Sequence, residues 1–328
     1  MVREAAHRVG RTLSPGTLVV LESTTYPGTT EEVVLPILEG QSGLRGGLHF
    51  ALAYSPERID PGRPDHRLEN TPKIVAGLTE RCRDLATSFY SDLVREVVTT
   101  RSPREAEMAK LIENTFRQVN IALVNEFVVL ARSLGVDVWE ALHAAATKPF
   151  GYMPFWPGPG VGGHCIAIDP TYLSWSAGQR LGYRAAGFID HANEVNDRMP
   201  QYVVDRIGEA LNDLGKAVRG SRILAVGAAY KPGVDDLRES PAVAVMQGLT
   251  RRGAVVSFHD PFVERLSFDG RHLVSQPLSE EVLAAQDCVV LLTVHPGTDV
   301  RAIVRPSRLV FDTRGSTLGI DAPNIIRL

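Results

Sequence analysis

The stretch from residue 221 to residue 312 constrains the fold of this chain most. Residues 222–226 are a short apolar run, Ser240-Pro241 offers a helix entry, and the helical pattern stops at Gly253 before a second apolar run over 255–258. Further apolar runs cover 287–293 and 308–311. Short strands of that composition are buried on both faces, and parallel neighbours need a crossover between them. The pattern predicts an α/β fold whose last part is a doubly wound parallel sheet.

With 328 residues, two or three domains are expected, and the patterning divides the chain into three. Residues 1–102 alternate helices and turns with apolar strands at 17–22, 49–54, 73–76 and 95–99. Residues 103–200 are helical. Met108, Leu111, Ile112, Thr115, Val119, Ala122 and Leu123 recur at three- and four-residue spacing. A second long helix is expected from Arg184 to Leu214, interrupted or kinked near Pro200. Residues 201–328 hold the parallel sheet. No internal repeat is present.

Composition removes several classes of function. The formal charge of −3 gives no electrostatic footprint for nucleic acid. No apolar run approaches the roughly 20 residues of a membrane span. Cys82, Cys165 and Cys288 are scattered without a C-x-x-C pair, which argues against a disulfide framework or a metal site. A cytoplasmic setting is expected. The arginine-bearing N-terminus runs straight into a strand, so a transit peptide is not expected.

The most informative motif is Gly158-Pro159-Gly160-Val161-Gly162-Gly163-His164-Cys165, followed four residues on by Asp169. Crowded glycines leave amides open to an anionic ligand, and the adjacent cysteine suits a thiol nucleophile beside a phosphate-bearing substrate. The alternative is a plain surface loop. The run also fits G-x-G-x-x-G, but a dinucleotide fingerprint must follow a strand and open a helix. Met153-Pro154-Phe155-Trp156-Pro157 cannot be a central strand, so that match is expected to be a decoy. No other glycine-rich βα turn occurs before Pro103, and the chain opens within a helix.

Six motifs then occur in one order: Glu22-Ser23-Thr24-Thr25-Tyr26-Pro27-Gly28-Thr29-Thr30, Ser55-Pro56-Glu57-Arg58-Ile59-Asp60-Pro61-Gly62, residues 107–114, the Gly163-His164-Cys165 loop, Tyr230-Lys231-Pro232 with Arg238-Glu239-Ser240-Pro241, and Phe311-Asp312-Thr313-Arg314-Gly315. In that order and wording the chain resembles the UDP-glucose/GDP-mannose dehydrogenase family, nearest the branch acting on UDP-N-acetylhexosamines. The resemblance implies a partial Rossmann domain over 1–102 whose glycine-rich first half is missing. It also implies a central helical dimerisation domain over 103–200 and a UDP-binding Rossmann-like domain over 201–328. A chain built this way is expected to be N-terminally truncated, to bind UDP, and to need a supplied Rossmann segment for NAD.

The implied chemistry is oxidation of a C6 alcohol to a carboxylate in two NAD-dependent steps through a cysteine thioester. A thiolate is both a strong nucleophile and a good leaving group. By resemblance Cys165 is the nucleophile, while Cys82 and Cys288 are core residues. Lys110 and Asn114, four apart on one helix face, match the pair beside C6, with Asp169 completing the proton-handling set. Glu57 matches the glutamate that activates water and Thr24 a residue that holds it. Substrate contacts are implied for Trp156, Gly158, Gly160, Gly162, Tyr230, Lys231 and Arg314, and cofactor contacts for Ser23, Thr24 and Arg238. Taken singly, Lys110 and Asn114 also read as a solvated helix face. Glu57, Thr24 and Asp169 read as turn caps, and Arg238 as a salt-bridge partner of Asp235 or Asp236. Ala167 and Ile168 depart from the family's usual wording without removing a reactive group. A homodimer is implied, with a catalytically inactive UDP-sugar-binding or dimerisation protein as the alternative.

Overall fold

A computed structural model describes residues 1–59, 65–183 and 185–328. The Asp60-Pro61-Gly62 end of the second motif and the expected helix start at Arg184 lie outside the described residues. In chain order the elements are α1 (Val2–Thr12), β1 (Leu18–Leu21), α2 (Leu35–Ser42), β2 (Ala51–Tyr54), β3 (Lys73–Gly77), α3 (Glu80–Ser91), β4 (Val97–Thr99), α4 (Pro103–Ser133), α5 (Val138–Ala146), α6 (His164–Leu181) and α7 (Gly187–Asp213). They continue with β5 (Arg222–Val226), α8 (Pro241–Arg251), β6 (Val255–His259), β7 (Arg265–Phe268), β8 (Arg271–Val274), α9 (Glu280–Ala284), β9 (Cys288–Leu291), α10 (Val300–Val304), β10 (Val310–Asp312) and β11 (Ile325–Arg327). Two compact units result, Met1–Phe116 with Ile168–Gly187, and Arg117–Ala167 with Phe188–Leu328.

The first unit is built on a sheet of order β1-β2-β3-β4, parallel except for the β2–β3 pair. Every residue of β2 and β3 is buried, as expected of strands covered on both faces. The strand period of two sorts β2 between those faces. Leu52 packs with Leu38 of α2 and Ala6 of α1, Ala53 with Ala86 and Tyr90 of α3, and Tyr54 with Ala106 of α4. Thr79 starts α3 by accepting the Cys82 N–H at 3.2 Å, the N-cap role for which a hydroxyl is suited.

The second unit carries the doubly wound sheet, all parallel, in the order β11-β10-β9-β5-β6. Ile223 and Ala225 face a core filled by Val203, Ile207 and Leu211 of α7 and by Val245, Met246 and Leu249 of α8. Leu224 and Val226 face Leu283 of α9 and Ile303 and Val304 of α10. The chain goes from β5 to β6 on one side and from β9 to β10 and β11 on the other, so the topological switch lies between β5 and β9. The carboxyl ends of strands at such a switch form the ligand crevice of open α/β sheets. Gly227 closes that spot. Its φ is +90°, and a Cβ there would lie 2.0 Å from the Thr293 carbonyl oxygen.

Two expectations change. The glycine run does open a helix, because α6 begins at His164, although no strand precedes it. The helix escapes the sequence reading because Pro170 sits inside it, and the preceding prolines and glycines dominate the local pattern. The helix α7 also continues through Pro200 without interruption.

Candidate active site

In the first unit, Lys110, Asn114 and Asp169 are 8%, 6% and 2% exposed, so the solvated-face and turn-cap readings do not hold for them. Asn114 Nδ2 donates to Asp169 Oδ2 at 2.5 Å, joining α4 to α6. Lys110 makes no hydrogen bond or ion pair with any described residue. An ammonium withdrawn from water is costly unless it is paired. Tyr54, fully buried beside these groups, has its phenol held strongly protonated by burial and by the nearby charges of Glu107 and Asp169.

The Glu22-to-Thr30 segment follows β1 at its carboxyl end. Ser23 is exposed and Thr24 half-buried. The segment is held by Glu107 of α4, which is fully buried and accepts from the Gly28 N–H at 2.5 Å, the Thr30 N–H at 2.9 Å and the Thr30 hydroxyl at 2.7 Å. Burial raises the Glu107 pKa, and those three donors oppose the rise. Arg180 and Trp175 of α6 clamp the same segment, through Glu32 at 2.8 Å and the Tyr26 ring at 5.2 Å. Glu57 is exposed and its Oε1 accepts the Ile59 N–H at 2.6 Å, so it does take part in a local turn. Its other oxygen lies 3.9 Å from Lys73 Nζ, and Lys73 also pairs with Glu22 at 3.1 Å. Glu107 and Lys73 went unassigned in the sequence. A buried lysine on a strand looks like any surface lysine until the strand is seen to be covered.

In the second unit, the glycine run is a packed element rather than a surface loop, with residues 157–160 buried. Each glycine has a steric reason. A Cβ on Gly158 would lie 2.4 Å from Arg314 Nη1, and one on Gly162 2.8 Å from both the Tyr230 side chain and the Glu239 carbonyl oxygen. Gly160 has φ +128°, a conformation other residues avoid. The expectation that the run keeps its amides open is corrected in part. Gly158 N–H donates to Asn125 Oδ1 at 2.9 Å and Gly163 N–H to the Arg238 carbonyl oxygen at 3.0 Å. Asn125 is fully buried and also donates to Asn196 Oδ1 at 3.0 Å. A buried asparagine on the apolar side of a long helix is the signal that could have marked it.

Cys165 follows in the first turn of α6 and is exposed, whereas Cys82 and Cys288 are buried. Burial pushes the Cys288 thiol up to about 12, which leaves it inert. The Cys165 charge contributes to the raised pKa of Arg238, whose main cause is the Asp236 carboxylate. Arg238 is indeed engaged by Asp236, at 3.0 and 2.7 Å. Trp156 is exposed with its ring 4.4 Å from that of His143. Tyr230 and Lys231 follow β5, with the Lys231 ammonium 5.6 Å from the Tyr230 ring centre. Arg314 follows β10. Its Nε donates to the Leu292 carbonyl oxygen at 3.0 Å, while its terminal nitrogens make no hydrogen bond to any described residue. Burial lowers its pKa to about 10. A partly buried guanidinium whose terminal nitrogens have no partner among the described residues suits a phosphate.

Comparison with known proteins gives three matches to a single family. Residues 1–94 match the NAD-binding domain of the UDP-glucose/GDP-mannose dehydrogenase family, residues 104–198 its central domain, and residues 224–318 its UDP-binding domain. A UDP-N-acetyl-D-glucosamine 6-dehydrogenase of Pseudomonas aeruginosa is 36% identical over 323 residues, covering 95% of this chain and 74% of the relative. The chain belongs to the UDP-glucose/GDP-mannose dehydrogenase family. A solved UDP-D-ManNAc dehydrogenase of Pyrococcus horikoshii superposes with a TM-score of 0.87 at 34% identity, over 99% of this chain and 75% of that one. For an NDP-N-acetyl-D-galactosaminuronic acid dehydrogenase of Methanosarcina mazei the TM-score is 0.83 at 31% identity, over 99% and 71%. As a member of this dehydrogenase family the chain is an oxidoreductase with NAD as its cofactor and a domain for UDP. The match to the NAD-binding domain does not bear out the expectation of a truncated chain that needs a supplied Rossmann segment for NAD, although residues 1–94 contain no G-x-G-x-x-G turn. No helix among the described residues is long and apolar enough to cross a membrane.

Proposed function

We propose that the chain oxidises the C6 alcohol of a UDP-N-acetylhexosamine to the carboxylate in two steps through a thioester on Cys165. The observation that carries this reading is the exposed Cys165 directly after a rigid glycine turn seated on Tyr230, Arg238 and Arg314. The sugar class is supported by relatives that include a UDP-N-acetyl-D-glucosamine 6-dehydrogenase and UDP-N-acetyl-D-mannosamine dehydrogenases. The domain division proposed is 1–102, 103–200 and 201–328, in a cytoplasmic enzyme.

Each residue has a part. Lys110 stabilises the alkoxide formed at C6, with Asp169 receiving the proton and Asn114 orienting that carboxylate. The Cys165 thiolate adds to the aldehyde carbon, and oxidation of the resulting thiohemiacetal gives the thioester. Glu57 takes a proton from the attacking water, which Thr24 helps to hold. Arg314, Lys231, Tyr230 and the Trp156-to-Gly162 segment hold the UDP. When bound, NAD supplies the hydride acceptor for both oxidations. Ser23 and Thr24, at the carboxyl end of β1, are assigned to its nicotinamide end, and Arg238 is assigned to the cofactor as well.

A purely UDP-binding protein is less well supported, because binding alone gives no reason to bury Lys110 with no partner among the described residues. A homodimer is supported by α4 and the residue after it. Leu123, Phe127, Leu130 and Leu134 are all exposed and spaced four, three and four apart, the period of a helix–helix seam.

The test is NADH formation from UDP-N-acetylglucosamine, its manno and galacto epimers, and UDP-glucose, with Cys165→Ala in parallel. Carboxylate production is expected from an N-acetylated substrate and is expected to vanish in the variant, with UDP binding kept. Two-step turnover by Cys165→Ala overturns the nucleophile. Calorimetry with NAD addresses the cofactor separately: saturable binding by the full chain is expected, since residues 1–94 match the family's NAD-binding domain.

A further inference from the structure

Two buried side chains with no part in the steps above lie behind the loop that carries Tyr230 and Lys231. Asp260, just after β6, and His295, beyond β9, are each 3% exposed, and His295 Nε2 lies 3.0 Å from Asp260 Oδ2. The Gly233 N–H donates to His295 Nδ1 at 3.1 Å. Since Nδ1 accepts there, Nε2 carries the proton and donates to Asp260. Asp260 Oδ2 accepts as well from the N–H groups of Ala228 at 2.8 Å and Ala229 at 3.1 Å. Its Oδ1 accepts from Phe262 at 2.9 Å and Val263 at 3.1 Å.

The loop of residues 228–236 is thus tied at its root by Asp260 and at its tip by His295, and the two are bonded to each other. Between these ties lie Tyr230 and Lys231, with the Tyr230 N–H closing the loop onto the Asp236 carbonyl oxygen at 3.0 Å. The Phe262 ring, 4.9 Å from that of His295, fixes the imidazole plane. Packing alone would be met by an apolar pair. A buried carboxylate with five donors is instead what a turn beyond the strand ends needs for its own N–H groups.

We infer that Asp260 and His295 form a positioning pair that sets the Tyr230–Lys231 loop for the diphosphate of a nucleotide-sugar substrate. The inference rests on the reading of that loop as part of the UDP site. It assigns the pair an effect on substrate binding rather than on the chemical steps, since neither residue touches the reacting carbon.

The test is calorimetric titration of the full chain with UDP, joined to steady-state kinetics, for wild type, His295→Phe and His295→Asn. Phenylalanine keeps the ring beside Phe262 but removes both hydrogen bonds. Asparagine keeps an acceptor near the Nδ1 position and with it the Gly233 tie. Loss of the tie is expected to weaken UDP binding and raise KM for the UDP-sugar about 10-fold, with kcat within about 2-fold. His295→Asn is expected to recover to within about 3-fold of wild type, and it reads out even if the phenylalanine variant folds poorly. Unchanged UDP affinity in His295→Phe, a loss confined to kcat, or an equal loss in both variants overturns the inference. Failure of the wild-type chain to bind UDP instead overturns the UDP-site reading on which it rests.

Discussion

The ring of Tyr230 lies against Gly163 so closely that a Cβ there would sit 2.7 Å from it, two residues before Cys165. Gly163 also has φ +80°, so an alanine would be strained even without the ring. Gly163→Ala is expected to cost about 2 kcal/mol from backbone strain and overlap together. It should also lower turnover well beyond what that loss of stability explains. Tyr230→Ala in the same chain relieves the overlap but not the φ, so only part of the stability should return. Full recovery of stability and activity in the double variant would show that steric overlap, and not the backbone conformation, is what the glycine is for.

Asn114 and Asp169 make the other short contact of consequence. Replacing Asn114 by leucine keeps the volume and removes the donor to a buried carboxylate, a loss of about 2 kcal/mol. If the pair handles the alcohol proton, turnover should fall about 100-fold, the usual scale for disabling acid–base assistance. Denaturant unfolding and rate measurements on one preparation separate the two. A stability loss with unchanged turnover would confine the pair to a structural role.

Much of this could be read in the sequence where periodicity and punctuation agree. The strand over Arg222–Val226 and the start of α8 at Ser240-Pro241 fell where expected, because an apolar run followed by an N-cap and proline has few other solutions. The hairpin β7–β8 and the short β11 did not show, since strands of four and three residues carry too little pattern. The ordered motifs single out Lys110, Asn114, Asp169 and Cys165 as candidates, but do not show why Gly158 and Gly162 are glycines. That reason is long-range, lying in Arg314 and Tyr230 far along the chain. Asn125, Glu107 and Lys73 were hidden likewise, because each matters through what it meets in space.

Acid should weaken the second unit through Asp260. Burial would raise its pKa, but hydrogen bonds from His295 and from the N–H groups of Ala228, Phe262 and Ala229 pull it down to about 2. A carboxylate whose folded pKa lies below its unfolded value stabilises the fold above the unfolded pKa. That contribution is lost as pH falls through the folded one. The window therefore runs from about pH 4 down to about pH 2, and the contribution at neutral pH is about 2 kcal/mol. Asp260→Asn should be less stable than wild type by that amount at neutral pH, with the gap closing as the pH falls towards 2. Chemical denaturation across that range checks it, and a gap independent of pH would mean that the carboxylate charge is not what holds the site.

The exposed seam on α4 makes the last prediction. Leu123, Phe127 and Leu130 are 45%, 41% and 49% exposed, and Leu134, just past the helix end, is 75% exposed. An adjoining face of the same stretch buries Val124 and Val128 in the core, so the helix is apolar on two faces. A helix with water on one of two apolar faces is uncommon in a monomer and usual where a second copy covers it. Placing glutamates at Phe127 and Leu130 removes the apolar seam and sets like charges opposite each other across a two-fold interface. Light scattering is expected to show a dimer for wild type and a monomer for the double variant. The fold should be retained, because neither side chain enters the core. A monomeric wild type at micromolar concentration, or a dimer that survives both glutamates, would place any assembly on another surface.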